Sequence, residues 1–259
     1  RTFLRVRGPL TGGDYRVAGD KSSQFVSGLL FALPLCEKDS TLTVTGKAES
    51  LSYIDLTLGA LADFGVEVRR EGMKFIIPGG QTYRSRNVAV EGDWSGAAFP
   101  AALGELGGDI TLTGLRSDSR QGDRVFPELF KKIGREVIDL SDCPDLAPVL
   151  FALAAAKGGG RFTGTRRLRY KESDRVDTMR EELAKFGVKV EAGENDVAVS
   201  GFPRAPRGAL CGHNDHRVVM ALSVLLTLTG GEIEGAEAVA KSYPAFFDDL
   251  KKIRIRVET

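Results

Sequence analysis

Four stretches of this chain are apolar enough to form buried helices, each introduced by an acidic or hydroxyl-bearing turn: "GDKSSQFVSGLLFALPL", "GDWSGAAFPAALGEL", "CPDLAPVLFALAAA" and "NDHRVVMALSVLLTL". After each comes a short strand-like segment ending near a glycine: "STLTVTG", "GDITLTG", "GRFTG" and "GEIEG". A polar loop then leads to a second helix, which in three copies closes on Phe-Gly or Ile-Gly: "GALADFG", "LFKKIG" and "ELAKFG". That glycine suits the left-handed position just past a helix end. The fourth copy reaches "DLKKIR". Alternating strands follow in the first and third copies, "VEVRR" with "MKFIIPG" and "VKVEA" with "DVAVSG", and a leading strand precedes the Asp in "DYRVAG" and "NVAVEG". The pattern predicts an α/β fold built from four copies of one βαβαββ unit.

Counting exposes one irregularity. Gly65 to Asp93 spans 28 residues and Gly187 to Asp215 another 28, but Gly134 to Asp145 spans only 11. The second copy is thus short by 17 residues, where its last two strands belong. Either this copy has lost a hairpin or a segment is missing from the sequence near 134–137. Deleting two adjacent strands would bare the neighbouring sheet edge, which favours the missing segment.

Composition narrows the class. The 259 residues are 42% hydrophobic, enough for one large domain or two medium ones, and the net charge is only +1 with 27% charged residues. No global field argues for nucleic acid or an anionic membrane. The longest apolar run, "VVMALSVLLTLTG", is too short to span a bilayer. The opening "RTFLRVRG" has neither a Met nor a signal-like run. Three cysteines without a CxxC pair disfavour a disulfide framework and fit a reducing cytoplasm.

Local charge is another matter. "RRLRYKESDR", Arg166 to Arg175, packs five cations into ten residues at the mouth of a helix whose apolar positions are Val176, Met179, Leu183 and Phe186. Capping by Ser173 or Asp174, with the charges solvated, accounts for the pattern without function. If the cations instead converge, unit charges about 4 Å apart repel by roughly 4 kcal/mol at an effective dielectric near 20, and a bound anion reverses the sign. "KSSQ", Lys21 to Gln24, sets two hydroxyls at a helix start, where free N–H groups favour an anion or the serine simply caps. "NDHR", Asn214 to Arg217, occupies the same place in the fourth copy. "CGHNDH" crowds Cys211, His213, Asp215 and His216 together, but matches no tetrahedral metal spacing. Asp20, Asp93, Asp145 and Asp215 hold comparable repeat positions, so each carboxylate is first of all a cap. Lys241 reads as an exposed loop lysine. No Walker A sequence, GxGxxG or GxSxG is present.

In chain order, "SSQF", "SYIDLTL", "EGDWSGAAF", "QGD", "PDLAPVLFALAA", "LRYKESDR", "NDHRVVMAL" and "AKSYPAFF" resemble the 5-enolpyruvylshikimate-3-phosphate synthase family over nearly the whole chain. The resemblance implies an enolpyruvyl transferase fold, inverse α/β-barrel-like, of six units in two domains. It places residues 1–91 as the last unit of an incomplete first domain and 92–259 as a second domain of three units. Roughly the first third of the family's length, with its Lys, Arg and glycine-rich loop ligands, has no counterpart here. The implied reaction is enolpyruvyl transfer from phosphoenolpyruvate to the 5-hydroxyl of shikimate 3-phosphate, in the shikimate pathway of aromatic amino acid biosynthesis. That family is the target of glyphosate.

Carried over residue by residue, the resemblance has Ser22, Ser23, Gln24 and Ser50 holding shikimate 3-phosphate, together with Asp145, Arg167 and Lys171. Arg167 stands where some members carry an Asn. Gln24, Arg175, Arg217 and Lys241 would bind phosphoenolpyruvate. Asp145 would be the base for the 5-hydroxyl, and Glu172, helped by Lys241, would protonate the methylene carbon. No metal or organic cofactor is implied, and no nucleic acid or membrane partner; a cytoplasmic monomer is expected. One rival is the sister transferase acting on UDP-N-acetylglucosamine, against which KESDR and NDHR argue. A second is an anion-binding fragment, inactive without its N-terminal part. A third, an RNA-binding module, would want aromatic residues beside the basic loop, where Tyr170 stands alone.

Overall fold

Alternating polar and branched side chains make "DYRVA" and "STLTVT" into two parallel strands, β1 (Asp14–Ala18) and β2 (Ser40–Thr45), joined through helix α1 (Ser23–Ala32). The computed structural model describes residues 4–19, 22–46 and 50–258; Asp20 and Lys21 lie outside them. Helix α2 (Leu51–Asp63) follows β2, and the strands β3 (Arg69–Glu71) and β4 (Lys74–Ile77) return antiparallel, giving the order β1-β2-β4-β3. Val26 and Leu30 of α1, with Ile54 and Leu61 of α2, close over Leu42, Val44, Phe75 and Ile77 of the sheet.

A second compact unit, Glu91–Thr259, has a separate apolar core. It opens with α3 (Trp94–Glu105) and α4 (Phe126–Lys132). The βαβαββ pattern then recurs in full. Strands β5 (Val137–Asp139) and β6 (Gly159–Thr163) are parallel and joined through α5 (Ala147–Ala156). Helix α6 (Arg175–Lys185) leads to the hairpin of β7 (Lys189–Ala192) and β8 (Asp196–Ser200), in the order β5-β6-β8-β7. The last copy is abbreviated: β9 (Leu210–Cys211) and β10 (Ile233–Glu234) are parallel across α7 (His216–Thr229), and α8 (Phe246–Lys252) ends it. Helix α5 is apolar all round, and its residues Ala147 to Ala155 are each buried, so helices fill the middle of this unit. The repeat read from the sequence is therefore complete in the first and third copies, and the predicted closing glycines Gly65, Gly134 and Gly187 all adopt φ between 75° and 80°.

The second copy departs from the expectation. "NVAVEG" and "GDITLTG" form no regular strands, although Gly92 N–H still donates to the Gly114 carbonyl. In the first and third copies the second strand pairs with the returning hairpin, β2 with β4 and β6 with β8. The second copy has no such hairpin, so residues 110–113 have no antiparallel strand among the described residues to hold them extended. The chain passes from α4 to β5 through a tight turn, with Arg135 and Glu136 N–H groups donating to the Lys132 carbonyl. β5 is left as a sheet edge, with Val137 exposed.

Candidate active site

Parallel pairing fixes where the chemistry collects. β5 and β6 run the same way, so the turns that follow them, carrying Asp145 and the KESDR segment, emerge at one end of the sheet. β9 and β10 likewise deliver the NDHR turn and the Lys241 loop to one end of their own pair. Ligand sites in α/β sheets lie off these carboxyl ends.

Asp145 sits in the turn before α5 and receives three cations. Arg175 Nη1 lies 2.8 Å from Oδ1, Lys171 Nζ 3.3 Å from Oδ1, and Arg217 Nη2 3.1 Å from Oδ2. Burial pushes the Asp145 carboxyl up, but Arg217, Lys171 and Arg175 outweigh burial and hold it well below the usual carboxylate range. Arg175 is fully buried and bonds two more carboxylates: Nη2 reaches Glu172 Oε2 at 2.6 Å and Nε reaches Asp215 Oδ2 at 2.9 Å. Burial opposes its charge, yet Asp145 and Asp215 raise its pKa further above the ordinary arginine value. Asp215 does double duty, capping α7 through the Arg217 N–H at 2.9 Å and accepting from Ser173 Oγ at 3.1 Å. Burial opposes its ionisation too, but Arg175 and these donors bring its pKa below the ordinary value.

Lys241 joins through the backbone. Its Nζ donates to the Asn214 carbonyl and, at 2.8 Å, to the Asn214 side-chain oxygen. Asn214 and His213 both adopt left-handed φ, 54° and 47°, so the chain turns sharply just before α7. Gly212 permits this approach, because a Cβ there would stand 2.5 Å from Val219 Cγ2 and 3.0 Å from the Gly235 carbonyl oxygen. Asp145, Lys171, Glu172, Arg175 and Arg217 thus form one network, with Lys241 one residue away from it in the Asn214–Asp215 turn.

The remaining expected residues stand elsewhere. The basic run does not converge as a whole. Three residues per turn in the 3-10 segment Arg166–Tyr170 put Arg166 and Arg169 on one side, toward the β7–β8 turn. Arg166 N–H bonds Asn195 Oδ1, and Arg169 pairs with Asp174 and Asp177 at 3.5 Å and bonds the Gly193 carbonyl at 3.1 Å. Arg167 is buried. The counter-charge expected of a ligand is supplied in part by Asp145, Glu172 and Asp215. In the first unit, Ser22 caps α1 by accepting the Gln24 N–H at 3.2 Å, Ser23 and Gln24 open that helix, and Ser50 precedes α2 with φ of 57°. Because β1 and β2 are parallel, these two helix mouths share an end of their sheet.

Two carboxylates escaped the sequence reading. Asp215 passed for a cap, or for one member of a metal cluster whose spacing fits no tetrahedral site. Asp123, in "QGD", is buried; Ser95 Oγ–H donates to its Oδ2, and its Oδ1 has no partner. Burial, and then the charge of Asp145, push this carboxyl up to about 6. The available signal was "QGD" itself, whose Gln121 clamps the start of α3 by accepting Trp94 N–H and donating to the Gly92 carbonyl. His216 is buried beside Arg217 with neither ring nitrogen bonded, and burial followed by Arg217 lowers its pKa. Among the described residues, Glu181, Glu182 and His213 bring ligand atoms within 4.8 Å of one another. Lys185 already sits 2.9 Å from Glu182, which disfavours a cation there.

Comparison with known proteins follows the same lines. A 3-phosphoshikimate 1-carboxyvinyltransferase of Clostridium kluyveri is 42% identical over 96% of this chain and 64% of its own length. The structure of EPSP synthase from Acinetobacter baumannii superposes with a TM-score of 0.75 at 26% identity, over 94% of this chain and 63% of that one. The enolpyruvyl transferase NikO of Streptomyces tendae shares the fold, with a TM-score of 0.68 at 15% identity over 96% and 65%. The chain spans somewhat under two thirds of the length of the curated relatives it matches. Residues 2–250 match the family described as EPSP synthase (3-phosphoshikimate 1-carboxyvinyltransferase), and the chain belongs to that family.

Proposed function

We propose that the protein carrying this chain transfers the enolpyruvyl group of phosphoenolpyruvate to the 5-hydroxyl of shikimate 3-phosphate, releasing phosphate. The observation that carries the reading is the charge network at Asp145, where cations from two separate helix mouths surround one carboxylate. Family membership supplies the substrates.

In this mechanism Asp145 takes the proton of the 5-hydroxyl as its oxygen adds to C2 of phosphoenolpyruvate. Glu172, assisted by Lys241, delivers a proton to C3, giving a tetrahedral adduct with a methyl group. Loss of phosphate from C2, with a methyl proton passing back to Glu172, re-forms the C2–C3 double bond and gives the enol ether of the product. Asp145 ringed by three cations is a weak base. The incoming phosphate and carboxylate of phosphoenolpyruvate compete for Arg175 and Arg217, and the 5-hydroxyl for Lys171; as they draw those donors away the proton affinity of Asp145 rises. Substrate binding thereby activates the base. Arg175 must release Glu172 for this exchange, which frees Glu172 to act as the acid. In the first unit, Ser22 and Ser23 at the positive end of α1, with Gln24 and Ser50, suit the phosphate of shikimate 3-phosphate; Arg167 is assigned there by resemblance alone. The enzyme would work in the cytoplasm as a monomer. Cys36 and Cys143 are buried and unpaired, burial pushes the Cys143 thiol up to about 12, and no helix among the described residues is long and apolar enough to cross a membrane.

A segment absent between Gly134 and Val137 belongs to the same reading. The alignment with the Clostridium kluyveri relative runs over 272 residues, longer than the 259 of this chain, so some aligned positions have no residue here.

The test is phosphate release from shikimate 3-phosphate plus phosphoenolpyruvate by the full-length protein. Turnover is expected to fall by about 10²-fold or more in Glu172→Ala and Lys241→Ala. Release that requires UDP-N-acetylglucosamine instead, or variants as fast as wild type, would remove the assignment.

A further inference from the structure

Helix α6 carries two fully buried charged side chains on one face, seven residues apart: Arg175 at its mouth and Glu182 two turns on. The first belongs to the network at Asp145. The second lies outside it, and nothing in the proposed reaction uses it. A fully buried carboxylate needs its own partners, and those of Glu182 are specific. Oε2 accepts the Cys211 N–H at 2.9 Å, Oε1 stands 3.0 Å from His213 Nε2, and Lys185 Nζ lies 2.9 Å away. Cys211 ends β9, and His213 is the first of the two left-handed residues before α7. Two of the three partners therefore belong to the turn that builds the site.

Several bonds hold that turn from its own backbone and from its far side, the His213 N–H to Cys211 Sγ at 3.4 Å among them. Two consecutive non-glycine residues in the left-handed region persist only where their surroundings enforce them. The Asp215 N–H reaches back to the Gly212 carbonyl at 2.8 Å, and Gly212 N–H bonds the Glu234 carbonyl at 2.8 Å. Glu182 adds an anchor from the middle of α6, two turns beyond the Arg175 bond to Asp215, gripping the residues before and after Gly212. On the other side of the turn, Asn214 holds Lys241, and Asp215 holds Arg175.

We propose that Glu182 is a positioning residue: through Cys211 N–H and the His213 ring it locks the His213–Asn214 turn, and so sets where Lys241 and Asp215 stand. The proposal rests on the enolpyruvyl transfer reading for its kinetic arm and on geometry alone for its structural arm. Glu182→Gln keeps the volume and one acceptor but offers a donor to His213 and Lys185 where they need an acceptor.

In the full-length protein, Glu182→Gln is expected to lower kcat by about ten- to a hundredfold. Lys185→Ala, which removes the partner not in the turn, should stay within about twofold of wild type. The double variant Glu182→Gln with Lys241→Ala should be slowed by less than the product of the two single effects, because Glu182 acts in part through Lys241; a full product would overturn that coupling. Hydrogen exchange should accelerate at residues 213–217 while the amides in the middle of α6 keep their protection. If wild type turns over and Glu182→Gln matches it, or Glu182→Gln and Lys185→Ala fall equally, the positioning role is overturned. If wild type itself shows no turnover, the proposed function fails, and exchange alone decides this inference: unchanged protection at 213–217 in Glu182→Gln overturns it.

Discussion

Asp145 is half-buried and Asp123 buried, and their surroundings push the two carboxyls in opposite directions. Asp145 is held ionised by Lys171, Arg175 and Arg217. Asp145→Asn leaves the fully buried Arg175 short of one counter-charge, and is expected to cost about 3 kcal/mol in urea unfolding at pH 7. Its folded pKa is depressed, so the stability it contributes is present above about pH 4 and is lost as pH falls below that. Asp123, raised to about 6 by burial and by Asp145, has the reverse sign. The folded state prefers it protonated, so its ionisation removes stability as pH rises from about 4 through 6. Relative to wild type, Asp123→Asn should gain on the order of 2–3 kcal/mol between pH 4 and pH 8. Urea midpoints for both proteins at the two pH values check this, and a difference independent of pH would mean that Asp123 ionises freely.

The helices meet the site through their caps. Asp174 accepts the N–H groups of Val176 and Asp177 at 3.1 and 3.0 Å, between Glu172 and Arg175. Asp174→Ala should cost about 1 kcal/mol and loosen the mouth of α6. At the other end Gly187, with φ of 80°, lets the chain leave α6 for β7. Gly187→Ala forces a side chain into that region, for about 1 kcal/mol and a fall in Tm of roughly 2–4 °C for a unit of this size. A calorimetric scan measures both. These features were legible: the stepping of Val176, Met179, Leu183 and Phe186 marks the buried face, and the Phe-Gly pair marks the stop. Residues 110–113 were not, because whether an alternating segment becomes a strand depends on a neighbour, and the hairpin that pairs in the other copies is absent from the second.

In the whole molecule the repeats bring their helix mouths to the ends of parallel strands, so that residues 72 positions apart, Asp145 and Arg217, share a hydrogen bond. The same comparison of copies isolates the connection at 134–137, where β5 stands as a sheet edge. Peptide mapping of the native full-length protein is expected to find no uninterrupted peptide from Phe130 to Leu140. A mass matching that contiguous stretch would show the hairpin to be lost rather than missing from the sequence.

By itself the sequence determined the repeated unit, its helices and their stops, and the family, because periodicity, caps and motifs act over a few residues. Only the tertiary structure decided which charges meet. It sent Arg166 and Arg169 away to the β7–β8 turn, placed Arg175 among three carboxylates, and gave Asp123 and Asp215 surroundings that no local pattern encodes. Charge interactions depend on distance and burial through space, and neither can be read from spacing along the chain.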